Sequence, residues 1–184
     1  VSLPATVTYF NGTIRDLASI SIFESENTGT VGYYTVNGIL FYYDEYTDQT
    51  TLVRCPTKKT IREYTVPENV TTLGTSAFQG NVSLKTITMP DGLISIDNRA
   101  FNGCTGLTTL SIPDTVTSIG EYAFENCTSL TYAYLGKALN SIGFRGFRYC
   151  SNISTITVPD ALTSVYDSFE NTNIKKVILP ATVT

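Results

Sequence analysis

The stretch LTTLSIPDTVTSIGEYAFENCTS, residues 107–129, decides the fold, because the chain on either side repeats its pattern every 23 residues. Phe78, Phe101, Phe124 and Phe147 share one phase, preceded by Ala77, Ala100, Ala123 and, in the fourth unit, Gly146. Pro67, Pro90, Pro113 and Pro159 hold a second column, with Gly136 in the vacant slot. Leu73, Ile96, Ile119, Ile142 and Val165 make a third. Asn81, Cys104, Cys127 and Cys150 make a fourth, followed three residues later by Leu84, Leu107, Leu130 and Ile153. The last unit is two residues shorter and still shows Val165, Phe169, Thr172, Ile174, Val177, Leu179 and Pro180. Self-similarity at such a period marks a repeat architecture whose units cannot bury an apolar side alone and must stack around one shared core.

Within the unit, Leu110-x-Ile112 alternates like a short strand, and Pro113 ends it because proline has no N–H for a ladder. Asp114 suits the turn that follows. From Ile119 to Phe124 the apolar spacing after a Gly predicts a single helical or 3₁₀ turn. Each unit then reads as strand, turn and coil, and stacking places parallel strands in one curved sheet with the Phe column as an internal ladder.

The unit Leu-x-x-Leu-x-Ile-Pro…Ser-Ile-Gly-x-x-Ala-Phe-x-x-Cys resembles the BspA-like class of leucine-rich repeats, continuously from Ile61 to the C-terminus. Leu17-x-x-Ile20-x-Ile22 fits the strand half of one more unit. The resemblance implies an α/β solenoid: a right-handed superhelix with a curved parallel sheet and short helical or 3₁₀ turns on the other side. The segments Tyr34–Tyr42 and Thr51–Pro56 depart from the repeat and resemble the hairpin insertion of that family. Their apolar runs, flanking the polar Asp44–Asp48, read independently as two strands and a loop. The expected organisation is a partial repeat with a hairpin cap over residues 1–60, then regular repeats over 61–184 in one continuous domain. The resemblance further implies a cell-surface or secreted protein of host-associated microbes that acts as an adhesion or ligand-binding module, and the expected function is a non-enzymatic module without a cofactor that binds a host extracellular protein or glycan. The alternative is a structural spacer that presents another domain of a larger surface protein. No residue-level binding motif comes with the resemblance, because the shared pattern consists of core positions.

Composition fits a folded domain, with 42% hydrophobic residues and a net charge of −4. The 12 Lys and Arg are spread along the chain without the basic cluster that phosphate neutralisation needs, so no nucleic-acid partner is expected. No apolar run approaches the roughly 20 residues of a membrane span. The chain opens on Val1, which reads as a mature or trimmed fragment, expected to be monomeric. Residues 178–184 begin a new unit, so the natural protein is expected to continue, and an uncapped last turn would expose apolar surface.

There is no His, the commonest general acid or base, which weakens enzyme readings. No Cys-x-x-Cys pair stands among the four cysteines, so a zinc site is not expected. Equal spacing of Cys104, Cys127 and Cys150 reads as an inward structural ladder, although coils about 4.8 Å apart also fall within reach of a disulfide. Asp91, Asp114 and Asp160 follow the repeat's Pro and read as turn residues, since one carboxylate per unit lacks the six to eight oxygens of a calcium site. Gly74, Gly120 and Gly143 read as single turn residues. Five Asn-x-Ser/Thr sequons, at Asn11, Asn69, Asn81, Asn126 and Asn152, read as accidents of Thr- and Ser-rich repeats.

Strand alternation locates the candidate binding surface at the positions between the core residues. In register, these are Thr109 and Ser111, Tyr132 and Tyr134, and Thr155 and Thr157. Hydroxyl-bearing residues are ordinary on an exposed strand, whereas Tyr is enriched in recognition surfaces. Tyr132 and Tyr134 also flank the small core residue Ala133, in the unit whose Pro is replaced by Gly136. The crowded Tyr33, Tyr34, Tyr42, Tyr43 and Tyr46 are expected to cover the solenoid's first repeat rather than to bind a ligand.

Overall fold

The computed structural model describes residues 2–3, 24–25, 32–57 and 59–178. The half-unit Leu17, Ile20 and Ile22, the Asn11 sequon, and Leu179 to Thr184 lie outside the described residues. The first strands are β1 (Ser2–Leu3), β2 (Glu24–Ser25), β3 (Gly32–Val36), β4 (Ile39–Asp44) and β5 (Gln49–Arg54). Two strands per coil then alternate: β6 (Glu63–Thr65), β7 (Val70–Leu73), β8 (Thr86–Thr88), β9 (Ser95–Ile96), β10 (Thr109–Ser111) and β11 (Ser118–Ile119). The series closes with β12 (Tyr132–Tyr134), β13 (Ser141–Ile142), β14 (Thr155–Thr157), β15 (Ser164–Val165) and β16 (Lys176–Ile178).

The coils therefore build two parallel sheets where the sequence reading has one. The three-residue strands pair in the order β10-β12-β14-β16, with β6 paired to β8 before them. The second strands continue into the N-terminal region in the order β15-β13-β11-β9-β7-β5-β4-β3. Ile119, read from sequence as the start of a helical turn, instead joins Ser118 in one of these strands, because two residues are too few to show a period of two. From β6 onward the pairings between coils keep a 23-residue register, as in Ile96↔Ile119↔Ile142, except that β14 meets β16 of the shortened last unit at 21.

No helix occurs among the described residues, and the expected helical or 3₁₀ turns are instead a train of hydrogen-bonded turns. Ala77, Gln79 and Asn81 donate backwards to Gly74, Ser76 and Phe78, while the intervening Ser76, Phe78 and Gly80 donate to Asn98, Ala100 and Asn102 of the next coil. Alternate N–H groups thus close a turn or join two coils, so the backbone of this buried edge is satisfied without a helix. The pattern requires a left-handed residue twice per coil, at Ser76, Arg99, Tyr122, Arg145 and Asp167, and again at Gly80, Gly103, Asn126, Tyr149 and Asn171. Positive φ at the third turn position is what a type II turn demands.

The core follows the columns. Phe78, Phe101, Phe124 and Phe147 are fully buried and stacked at 4.9–5.1 Å with interplanar angles of 1–13°, and Phe169 extends the stack at 5.4 Å. At the other end Tyr64 closes it at 5.6 Å. The fourth column satisfies carbonyls of the preceding coil: Asn81 Nδ2 donates to Cys55 O, and the thiols of Cys104, Cys127 and Cys150 donate to Phe78, Phe101 and Phe124 O at 3.1–3.3 Å. All four cysteines are buried free thiols. Burial pushes Cys55 up to about 11 and Cys104 to about 12, and raises Cys127 as well, which removes the thiolate that oxidation or metal binding requires. A thiol-specific chromogenic reagent is expected to label none of the four in the native protein and all four in denaturant. Rapid native labelling of even one would show that its coil opens. Asn81 is 2% exposed, so its sequon is closed to a glycan.

Toward the N-terminus the repeat changes without the sheet ending. Asn37 and Gly38 both have positive φ, the signature of a type I′ hairpin turn, and they split the predicted Tyr34–Tyr42 strand into antiparallel β3 and β4. The region consequently holds three strands rather than two, with β5 antiparallel to β4 and parallel to β7. Cys55 N donates to Ala77 O at 2.7 Å, as Phe78 N does to Ala100 O, which places Cys55 in the Phe column and Arg54 in the Ala column. Arg54 is 1% exposed, donates through Nη1 to Ser76 O, and burial lowers its pKa. At the other end Val165 and Val177 are 49% and 51% exposed.

Candidate functional site

The backbone register brings all six sequence-derived candidates together. Thr109, Tyr132 and Thr155 are direct cross-strand partners, as are Ser111, Tyr134 and Thr157, so they form a grid three strands wide and two residues deep. Beneath it Leu110, Ala133 and Ile156 are buried, which is why alternation turns the six outward. Tyr132, Thr109 and Ser111 are exposed, while Tyr134, Thr155 and Thr157 are half-buried.

The two tyrosines differ chemically. Tyr132 Oη stands 3.5 Å from Thr157 Oγ1, the outer limit of a hydrogen bond, so its hydroxyl is available to a ligand. Tyr134 Oη donates to Asp114 Oδ1 at 2.7 Å, and Lys137 reaches the same carboxylate through its backbone N–H at 3.1 Å and its Nζ at 2.6 Å. Asp114, read from sequence as a plain turn residue, is thus the anchor of a three-residue network at the edge of the grid. Gly136 makes that network possible: a Cβ there would lie 2.0 Å from Pro113 O, so only a bare Cα lets Lys137 approach Asp114. A shallow hollow of about 320 Å³ adjoins, lined by Tyr134, Lys137, Thr157 and Asp160 among others.

The Lys137 ammonium, with help from Tyr134 Oη and the Lys137 N–H, holds the Asp114 carboxyl down at about 2. This lies below the usual carboxylate value of about 3.9, so the network's contribution is present above about pH 4 and is lost as the pH falls toward 2. Asp114→Asn is expected to flatten this part of the acid limb. Melting temperatures of both proteins between pH 5 and pH 2 test it, and parallel curves would rule the network out as an acid-sensitive element.

A second surface cluster has no counterpart in the sequence reading. Arg99, Tyr122 and Arg145 occupy one left-handed column, with the Arg99 guanidinium 4.7 Å from the Tyr122 ring centre and that of Arg145 4.5 Å from Phe144. Arg148 lies 4.2 Å over Tyr149 and pairs with Glu170 at 2.8 Å and Glu125 at 3.5 Å. Glu170 also pairs with Arg145 at 3.4 Å, so Glu125 and Glu170 tie Arg145 and Arg148 together as a brace between coils. The signal in the sequence is bulky residues in columns elsewhere held by Ser, Gly or Asn.

Among the described residues no group of three or more His, Cys, Asp or Glu is placed to hold a metal ion. Among the same residues no helix long and apolar enough to cross a membrane occurs.

Comparison with known proteins extends this description. No curated protein sequence matches the chain. Among solved structures, a leucine rich cell surface protein from Faecalibacterium prausnitzii A2-165 superposes with a TM-score of 0.89 at 22% identity, covering 100% of this chain and 48% of that one. A leucine rich repeat protein of T. pallidum superposes at 0.70 with 23% identity, over 78% of this chain and 70% of its own. One from Bacteroides ovatus ATCC 8483 does so at 0.68 with 24% identity, over 80% and 41%. At these identities the likeness establishes the fold alone, and the chain spans about half the length of the Faecalibacterium protein. The profile described as BspA type leucine rich repeat region matches residues 71–184 in 6 copies. With that profile spanning more than half the chain, and the Phe, Ala and Cys columns stacked as a solenoid, the protein belongs to the BspA-type leucine-rich repeat family.

Proposed function

We propose that this chain is a non-enzymatic, exported binding module that engages a host extracellular protein or glycan through the β10-β12-β14 face. The observation that carries the reading is the grid itself: two tyrosines, one with an available hydroxyl, set in a hydrogen-bonded and partly exposed Ser/Thr sheet surface. Tyr supplies contact area and a hydrogen bond with only two rotatable bonds to immobilise, so a rigid sheet presents it at low entropic cost. Export is supported by the description of the Faecalibacterium relative as a cell surface protein.

The experiment is binding to an immobilised panel of extracellular-matrix glycoproteins and glycans, with a Tyr132→Ser/Tyr134→Ser double variant checked for unchanged melting. Saturable binding weakened at least about tenfold in the variant is the expected result, a loss typical of central interface aromatics. Binding that the variant keeps would remove the grid from consideration. No binding across the panel would favour a spacer that holds another domain away from the surface.

A further inference from the structure

A groove on the other sheet has the makings of a distinct site. Gly74, Asp97, Gly120 and Gly143 play one backbone role, each donating its N–H to the preceding coil, to Leu52, Leu73, Ile96 and Ile119 respectively. The column packs tightly: a Cβ on Gly120 would lie 2.5 Å from Asn98 N, and one on Gly143 2.6 Å from Glu121 N. Asp97 alone in this set carries a side chain, and both of its column neighbours are bare, so its carboxylate stands in a notch between two hollows. One hollow, about 220 Å³, is lined by Tyr33, Tyr42, Thr75 and Asp97 among others. The other, about 330 Å³, is lined by Thr75, Asp97, Asn98 and Ser118 among others. Sharing Thr75 and Asp97, they form one groove running across successive coils.

The groove's chemistry is specific. Tyr33 and Tyr42 are paired with ring centres 5.0 Å apart and planes tilted by 53°, giving an aromatic wall. Asn98 Oδ1 accepts from Glu121 N–H at 2.7 Å, so what its amide offers a ligand is the Nδ2 donor. Thr75 and Ser118 add hydroxyls that donate or accept. Neither set of lining residues includes a Lys or Arg, and no ion pair of Asp97 occurs among the described residues. Burial raises the Asp97 pKa, only partly offset by a hydrogen bond to Ser95, so its charge opposes folding at neutral pH. A half-buried carboxylate kept where Gly74, Gly120 and Gly143 hold the equivalent positions is what a stability–activity trade-off looks like.

We propose that this groove binds a neutral oligosaccharide, its apolar C–H face against Tyr33 and Tyr42 and its hydroxyls donating to Asp97 and accepting from Asn98. A saccharide matches the alternation of aromatic wall and paired polar groups, and hydroxyls are the uncharged donors that a carboxylate with no cationic partner calls for. An acidic glycan is disfavoured by Asp97, with no cation in the lining to compensate. The site is separate from the Tyr132–Tyr134 grid, which lies on the other sheet, and stands or falls independently of it.

The test is calorimetric titration of the purified chain with maltotetraose, cellotetraose, chitotetraose and lacto-N-tetraose, and with sialylated lacto-N-tetraose, while following backbone amide NMR signals. Expected are saturable one-to-one binding of at least one neutral tetrasaccharide and signal shifts centred on Thr75, Asn98 and Ser118. Asp97→Asn should weaken it about ten- to hundredfold, the effect of losing one charge-assisted hydrogen bond, with melting unchanged or higher. The Tyr132→Ser/Tyr134→Ser variant should keep it. The proposal is overturned by no saturation with any neutral sugar, by unchanged affinity in Asp97→Asn, by preference for the sialylated form, or by shifts that map to the Tyr132 face. The melting measurement on Asp97→Asn separates loss of binding from loss of fold.

Discussion

Phe101→Ala is expected to destabilise the protein by about 3–5 kcal/mol, the usual range for removing a buried aromatic ring and leaving its cavity. The ring is fully buried between Phe78 at 5.1 Å and Phe124 at 5.0 Å, almost parallel to both. Its removal interrupts the stack in mid-solenoid, where no alternative partner can fill the gap, since each coil contacts only its neighbours. Against a typical total of about 5–15 kcal/mol, such a loss approaches the limit of folding. Phe169→Ala, at the half-buried end of the same stack, is expected to cost clearly less. Urea unfolding read as a shift in midpoint at constant slope measures both. A cost below about 1.5 kcal/mol for Phe101→Ala, or equal costs at both positions, would mean that the coils collapse freely around a missing ring.

Gly136→Ala should be nearly as damaging, at roughly 3 kcal/mol, the upper part of the range for forcing extra volume into a packed site. Its Cβ would stand 2.0 Å from Pro113 O, 2.6 Å from Pro113 C and 3.0 Å from Asp114 Cα, all backbone atoms that cannot rotate away. The coil must shift bodily, carrying Lys137 off Asp114. Gly80→Ala provides the contrast, because there the nearest atom is the Thr57 methyl at 3.5 Å and the obstacle is a φ of +74°, worth about 1–2 kcal/mol. The ranking of the two midpoints is the measurement, and a milder effect at Gly136 would show that the two coils separate at little cost.

The candidate grid was legible because a two-residue alternation, once anchored by Leu110 and Ile112, assigns every neighbouring side chain to a face. What Tyr134 touches was not, since its partner Asp114 lies 20 residues away in the preceding coil. Asp97 escaped for a related reason. Its column of glycines was visible, yet a Gly reads as a turn signal and carries no sign of what packs against it. The left-handed Arg99, Tyr122 and Arg145 were illegible because propensity argues against such residues at positive φ, and only the coil-to-coil hydrogen bonds hold them there.

The amino-acid sequence by itself determined the period, the stacking of the Phe and Cys columns, the six residues of the grid and the family, because each is a one-dimensional regularity that survives any detail of packing. The tertiary structure alone decided that the coil carries a second strand at Ser118–Ile119 and a train of turns instead of a helix. It alone decided that Asn37-Gly38 folds back as a hairpin and that the β3–β5 strands extend the second sheet. The physical reason is common to all of these. Two- and three-residue segments are too short to express a local preference, so their conformation is chosen by the N–H and C=O groups of the neighbouring coil, which lie 23 residues away in sequence and within hydrogen-bond distance in space.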